Sequence, residues 1–490
     1  MSLTSLALSF ALGLPSAGSP TPSTNQIPTP ASNLPVVLPA PGPPKLQSSE
    51  IIDGGFGSID EGVLVAFGPQ GRRYEVWEVH KGITTNHALV LAFDAAGAEL
   101  WRTKYTWKAS EAWLGHLAAT VDAAGDFYFM YITMPVGDLY RWRVAKVSAN
   151  GALAWDKTLY STTWGEERSF LAPHPQGGIV VQSTCQGAVR DMYTARLSSA
   201  GDLLWEQKLD FDGHNQSSTA LAVAADGSIY TAGHDESARI RKYTADGAVA
   251  WTASYERSTP YEHISARHAF LGRDGNLVVV GTAYAGGNDP DWYFVRKYSP
   301  GGVRIRDFVV KLGNNIKLSE YGLQGVYATH APDDSVYLAW DHSDGLTSDW
   351  TLARIHVPSD GSQRMVNVNR PALDVIDQPR VLWTKDFTGD AAMSVEQLVW
   401  VPNGALAVLG RGKRVLQGYD YRYDTRLRAV MPDGADLGLA RFASTGNFHN
   451  EPTAIAVSPA GTVHVLGWQY WSGDGWNDED VMRLRFSVQK

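Results

Sequence analysis

The chain has 490 residues, 44% of them apolar and 11% aromatic, enough for a folded body of two or three ordinary domains or one large repeat array. Its net charge of −9 comes from 42 basic and 51 acidic residues interspersed along the chain, so there is no basic face for nucleic acid. One cysteine, Cys185, excludes an intrachain disulfide and a cysteine-based zinc site, and its place at the end of a predicted strand suits a small apolar filler.

Residues 1–44 carry no charge. Leu3 to Leu14 is an apolar run of signal-peptide length, followed by small residues at Ser16, Ala17 and Gly18. Residues 1–19 therefore read as a possible signal peptide without a basic start, and 20–45 as a Pro/Ser-rich disordered tether. No other stretch could span a bilayer as an apolar helix. The expected location is extracytoplasmic, secreted or in the cell envelope, with no integral membrane segment.

From residue 46 to 490 one pattern recurs, clearest in TALAVAADGSIYTAGHDESARIRKYTADGAVAWTASY (219–255): four short strands, two tight turns and one variable loop. The first turn of each unit carries Gly71, Gly125, Gly177, Gly227, Gly275, Asp334, Gly404 or Gly461, roughly 48 to 70 residues apart, the span of four strands plus loops. A second turn carries Gly97, Gly151, Gly201, Gly247, Gly301, Gly361 or Gly434. Trp101, Trp155, Trp205 and Trp251 follow four residues later, and Trp383 is the displaced counterpart. Glycine supplies the positive φ that such hairpins need. Ala-rich first strands suit a crowded axis, and Trp155, Trp205 and Trp251 on the outermost strands are expected to be substantially buried between units.

Asp191, Asp291 and Asp424, with Lys146, Arg196, Lys242 and Arg296, recur at fixed distances before the second turn. They read as structural caps and ion pairs between units. The eighth unit has a third strand at Val481 to Val488 and no fourth, so Leu46 to Phe56 is expected to supply the outer strand and close the ring. The predicted fold is all-β, a single eight-bladed β-propeller of four-stranded antiparallel blades, closed by an N-terminal outer strand in the last blade.

The segments DGSIYTAG (226–233), DGNLVVVG (274–281), AGTVHVLG (460–467), RKYTADGAVAW (241–251) and KVSANGALAW (146–155) resemble the bacterial β-propeller-repeat family, often called SBBP-like, over roughly 440 residues. The resemblance implies a propeller and is silent on activity. AFDAAGAELW (92–101) and SANGALAW (148–155) are also similar to the tryptophan-docking motif of eight-bladed quinoprotein dehydrogenases. One cysteine cannot make the vicinal pair of many such enzymes, and quinone binding is not carried over; no cofactor is expected.

In an up-down meander the variable loops open on one face and the tight turns on the other, so binding residues belong on the loop-rich face near the axis. Glu61, Glu167 and Glu451 share a position ten residues before the first turn, and His116 lies one later in its blade. Together they could form an acidic mouth for a cation or basic group, with a solvated rim as the plainer reading. The last blade's loop, QYWSGDGWNDED (469–480), adds Trp471 and Trp476, whose faces could stack on sugars. No HExxH, GxSxG or P-loop spacing occurs, and no metal site is expected. The expected function is binding of a glycan or protein ligand by a monomer. The alternatives are a polysaccharide lyase or hydrolase acting at the central channel, and a structural scaffold or adhesin.

Overall fold

The computed structural model describes residues 44–52, 58–81, 85–106, 111–135, 139–162, 169–186, 190–209, 215–235, 237–255, 262–285, 292–311, 326–343, 348–357, 380–388, 393–415, 421–444, 448–471 and 479–488. They form eight four-stranded antiparallel blades: 58–106, 111–162, 170–209, 217–255, 262–311, 326–387, 394–442, and 448–488 with Pro44–Ile52. We call the four strands of a blade a to d in chain order. The a strands of successive blades touch one another around the ring, which places them at the axis.

Strand d of blade eight is Pro44–Ile52. It runs antiparallel to Glu479–Val488, from Pro44 opposite Val488 to Ile52 opposite Val481. The predicted closure is therefore present, beginning at Pro44 rather than Leu46; residues 53–57 lie outside the described residues. A single parallel bridge, Ile59 to Glu479, joins the last blade to the first.

The turns explain the glycine pattern. In the first turn of blade one, Arg72 N–H donates to Pro69 O, and Gln70 and Gly71 carry the positive φ. Each other described turn has four residues, its last N–H donating to the first carbonyl, as Gly125 N to Asp122 O at 3.0 Å, and that last residue has positive φ. Asp334, at φ 61°, takes the glycine's place in blade six. In blade five the positive-φ residue is Gly302, at 84°, not Gly301, because Ser299 opens the turn one residue later than the spacing suggests.

Apolar burial is distributed over the seams. Tyr74, Phe127 and Phe129 pack between blades one and two, and Val278, Val336 and Leu338 between five and six. Leu46 and Ile51 pack against the cluster joining blades seven and eight. Cys185 is buried, and burial pushes its thiol up to about 11, as expected of a filler.

A directional clamp sits at the outer end of five seams. The indole of Trp101 lies under Gly151 of the next blade, where a methyl built on the glycine would meet the ring at 2.8 Å. Its Nε1–H donates to Ala149 O at 2.9 Å. Trp155, Trp205, Trp251 and Trp383 repeat this on Ser199, Ala245, Pro300 and Pro432. A cation reaches the same carbonyl: Arg72 to Ala149, Lys146 to Ser199, Arg196 to Ala245, Lys242 to Pro300 and Arg354 to Pro432.

Trp155, Trp205 and Trp251 lose most of their surface between blades, as expected, with one ring face against the next blade's glycine turn. One expectation is corrected here: the basic residues meet the neighbouring blade mainly through carbonyls. Arg296 pairs with Asp307 of its own blade at 2.7 Å, since the shifted turn hands the forward position to Lys297. Asp424 likewise pairs locally, with Arg426 at 2.8 Å. Trp155→Ala is expected to cost about 2 kcal/mol, part for the ring and part for the lost N–H bond. Urea titration checks this, and an unchanged midpoint would mean that the clamp contributes nothing.

Two blades lack the indole. Arg306 holds the Trp register in blade five; the expected turn at Gly361 that would face it lies outside the described residues. Gly438 holds it in blade seven, which faces the Val488/Pro44 junction where no c–d hairpin exists. Among the described residues the indole is present where a glycine turn follows, with one exception at the closing seam.

Candidate functional site

Strand a of blade eight, Phe448–Val457, begins on the loop-rich face and carries Glu451 near that end. A bulge follows at once, between Pro452 and Ala454, and it recurs in blade one between Gly62 and Leu64. The shared bulge puts Glu61 and Glu451 in one register. Thr453 Oγ1 donates to Gly62 O across the seam, so these two positions are neighbours at the ring closure, as the spacing implied.

Glu451 is not a free carboxylate. Its Oε2 lies 2.5 Å from Arg411 Nη1, and Arg411 Nε lies 2.6 Å from Glu396 Oε1. Glu396 is the extra residue of the bulge in strand a of blade seven, Ser394–Val401, and Arg411 comes from strand b, Ala405–Val415. One guanidinium thus holds two carboxylates across the seam between blades seven and eight, and the trio carries one net negative charge. Burial raises both carboxyls above their ordinary range, and the arginine only partly offsets it. The two acids in turn hold the Arg411 guanidinium more firmly protonated.

Aromatic and amide groups stand beside the trio. Arg411 lies over the Tyr423 ring at 5.4 Å, and buried Asn450 donates to Tyr423 O at 3.3 Å. Ser444 Oγ lies 2.7 Å from Gln469 Oε1. Acceptors, an aromatic face and amides at the mouth can bind hydroxyl or ammonium donors.

The other expected site residues are placed only in part. His116 stands opposite Tyr131 on strand a of blade two, between two bulges, in the register of Gly62 and Pro452. Trp471 ends strand b of blade eight, opposite Phe448. For Glu61, His116 and Trp471 the description stops at the backbone, and Glu167 and Trp476 lie outside the described residues. Arg411 and Glu396 escaped the sequence reading: Glu396 sits eight residues before its first turn rather than ten, and only the bulge brings it to the mouth. Among the described residues no group of three His, Cys, Asp or Glu could hold a metal ion, and no helix is long and apolar enough to cross a membrane.

No family model matches the chain, and no curated protein sequence matches it. Among solved structures it is similar to the WD40 domain of SCAP from fission yeast, with 8% identity over 90% of this chain and 98% of that one and a TM-score of 0.46. It is also similar to Sqt1 from Chaetomium thermophilum, with 14% identity over 89% and 98% and a TM-score of 0.49. A protein of unknown function from Bacteroides caccae gives 13%, 61% and 90%, and 0.32. The assignment as a propeller rests on the chain's own strand order, and the resemblance to a repeat family stands at the level of that fold.

Proposed function

We propose that this propeller is an exported binding module of the bacterial repeat type, acting as a monomer, that takes a glycan or a donor-rich protein segment at its loop-rich mouth. The observation that carries the reading is the Glu396–Arg411–Glu451 trio, with more acceptors than its one guanidinium uses, beside Tyr423 at the inner end of two blades. The apolar run followed by a Pro/Ser-rich stretch supports export. The last blade is completed to four strands by the chain's own N-terminal strand rather than by a second copy, which supports a monomer.

A glycan array followed by calorimetry tests the reading. Glu451→Gln is expected to weaken a bound glycan at least tenfold, about 1.4 kcal/mol, with the melting temperature nearly unchanged. Retained affinity would remove the trio from the site. A polysaccharide-acting enzyme is the second reading. It is favoured by the two carboxyls that burial raises toward the range of a general acid. Cleavage of a polysaccharide panel, abolished by the same substitution, would establish it.

A further inference from the structure

The closing seam between blades eight and one breaks the clamp rule. Gly97 heads a tight turn like those of Gly151, Gly201, Gly247, Gly302 and Gly434, yet a methyl built on it would meet nothing within 4 Å. The reason lies in the strand that closes the ring. Ser48 stands opposite Arg485, at the same bulged register where Trp155 stands opposite Lys146 and Trp205 opposite Arg196. The turn is present, and a serine stands where the indole belongs.

A cleft of about 290 Å³ occupies the position, lined by Asp94, Ala95 and Gly97 of blade one and by Pro459, His464 and Arg485 of blade eight. The rest of the docking set is in place. Arg485 is the counterpart of Lys146, Arg196, Lys242 and Arg354. Its Nε is buried and has no hydrogen-bond partner among the described residues. Ala95 O is the counterpart of the carbonyls that accept from indole and cation elsewhere, and neither reaches it here among the described residues. His464 takes the place of Tyr128, Tyr230 and Tyr337.

Charge selects the rest of the ligand. Arg73 and Arg485 line the cleft against one carboxylate, Asp94, which already accepts the Ala98 N–H at 2.8 Å. Glu75 and Glu50 are engaged by Arg483, and Glu75 by Arg73 as well. An anion in the cleft would offset the two guanidinium charges that line it, Arg73 and Arg485.

We propose that this cleft binds a small planar aromatic anion with an N–H donor, an indole carboxylate in chemical class. The ring lies on the face of Gly97, the N–H donates to Ala95 O and the carboxylate meets Arg485. The site is separate from the loop-rich mouth, so the two readings stand or fall independently.

Titration calorimetry with indole-3-acetate tests it. Wild-type protein is expected to bind one equivalent, at least tenfold more tightly than it binds indole. Arg485→Gln is expected to weaken indole-3-acetate at least tenfold while leaving indole unchanged. Ser48→Trp, which supplies the missing ring from the chain itself, is expected to abolish binding and raise the melting temperature. No binding by wild-type protein, or undiminished binding in both variants, overturns the proposal. Tighter binding of an acidic tryptophan-containing peptide than of the free acid overturns the small-molecule assignment in favour of a protein partner.

Discussion

Deleting residues 1–57 is expected to lower stability by several kcal/mol, whereas deleting residues 1–43 leaves the unfolding midpoint nearly where it was. The difference is the strand Pro44–Ile52. It completes the last blade along the whole of Glu479–Val488 and packs Leu46 and Ile51 onto the seam between blades seven and eight. Ile52 packs on the other side, against the cluster of Trp77, Leu91 and Phe93. The strand also carries Glu50, 2.6 Å from Arg483, which in turn holds buried Glu75 of blade one at 2.8 Å. Without it Arg483 loses one carboxylate and the last blade presents an unpaired edge. Chemical denaturation of the two truncations decides the matter, and equal midpoints would show that the strand is dispensable.

Acidification should destabilise the closing seam, and His464→Tyr should remove part of that loss. His464 is buried with Arg73 Nη1 at 2.9 Å from its Nδ1. A guanidinium only donates, so Nδ1 must accept and the ring must be neutral. Burial pushes its pKa down to about 3, and Arg73, Arg485 and Arg483 push the same way. The folded state therefore disfavours the proton relative to the unfolded chain. The resulting stability is fully present above about 6.5 and is lost as pH falls toward 3, by up to about 1.4 kcal/mol per pH unit. Glu396 and Glu451 work in the opposite sense, since carboxyls raised by burial favour the fold as they take up protons. The difference between wild type and variant across pH 4 to 7, taken from denaturation midpoints, isolates the histidine. Tyrosine fills the same register at Tyr74, Tyr128, Tyr230 and Tyr337, so the variant should fold. Parallel curves for the two proteins would mean that His464 is protonated or solvated in the fold.

Most of the architecture was legible because its determinants are local. A positive-φ residue sits in each described turn, small residues recur in the first strands, and a third strand without a partner demands one from elsewhere. Legibility failed where register is decided by a neighbour. The turn of blade five moves by one residue, to Gly302, and takes the forward cation from Arg296 to Lys297. The absence of Trp in blade seven made no sense within that blade, because the explanation lies in the next blade's missing c–d turn. Glu396 and Arg411 join Glu451 only through a bulge, which spacing counted in sequence does not register.

The clamp points one way around the ring, and this bears on how the molecule is assembled. Each indole reaches forward onto a hairpin that the ribosome has yet to make, so the newest blade emerges with its ring uncovered until the following one folds beneath it. Strand and turn are close in sequence, and these local closures are fast. Pro44–Ile52, made before every other strand of the ring, must wait for Glu479–Val488, made after them. During translation the nascent chain therefore carries one open strand at its leading end, able to pair with a second copy before its own last blade appears.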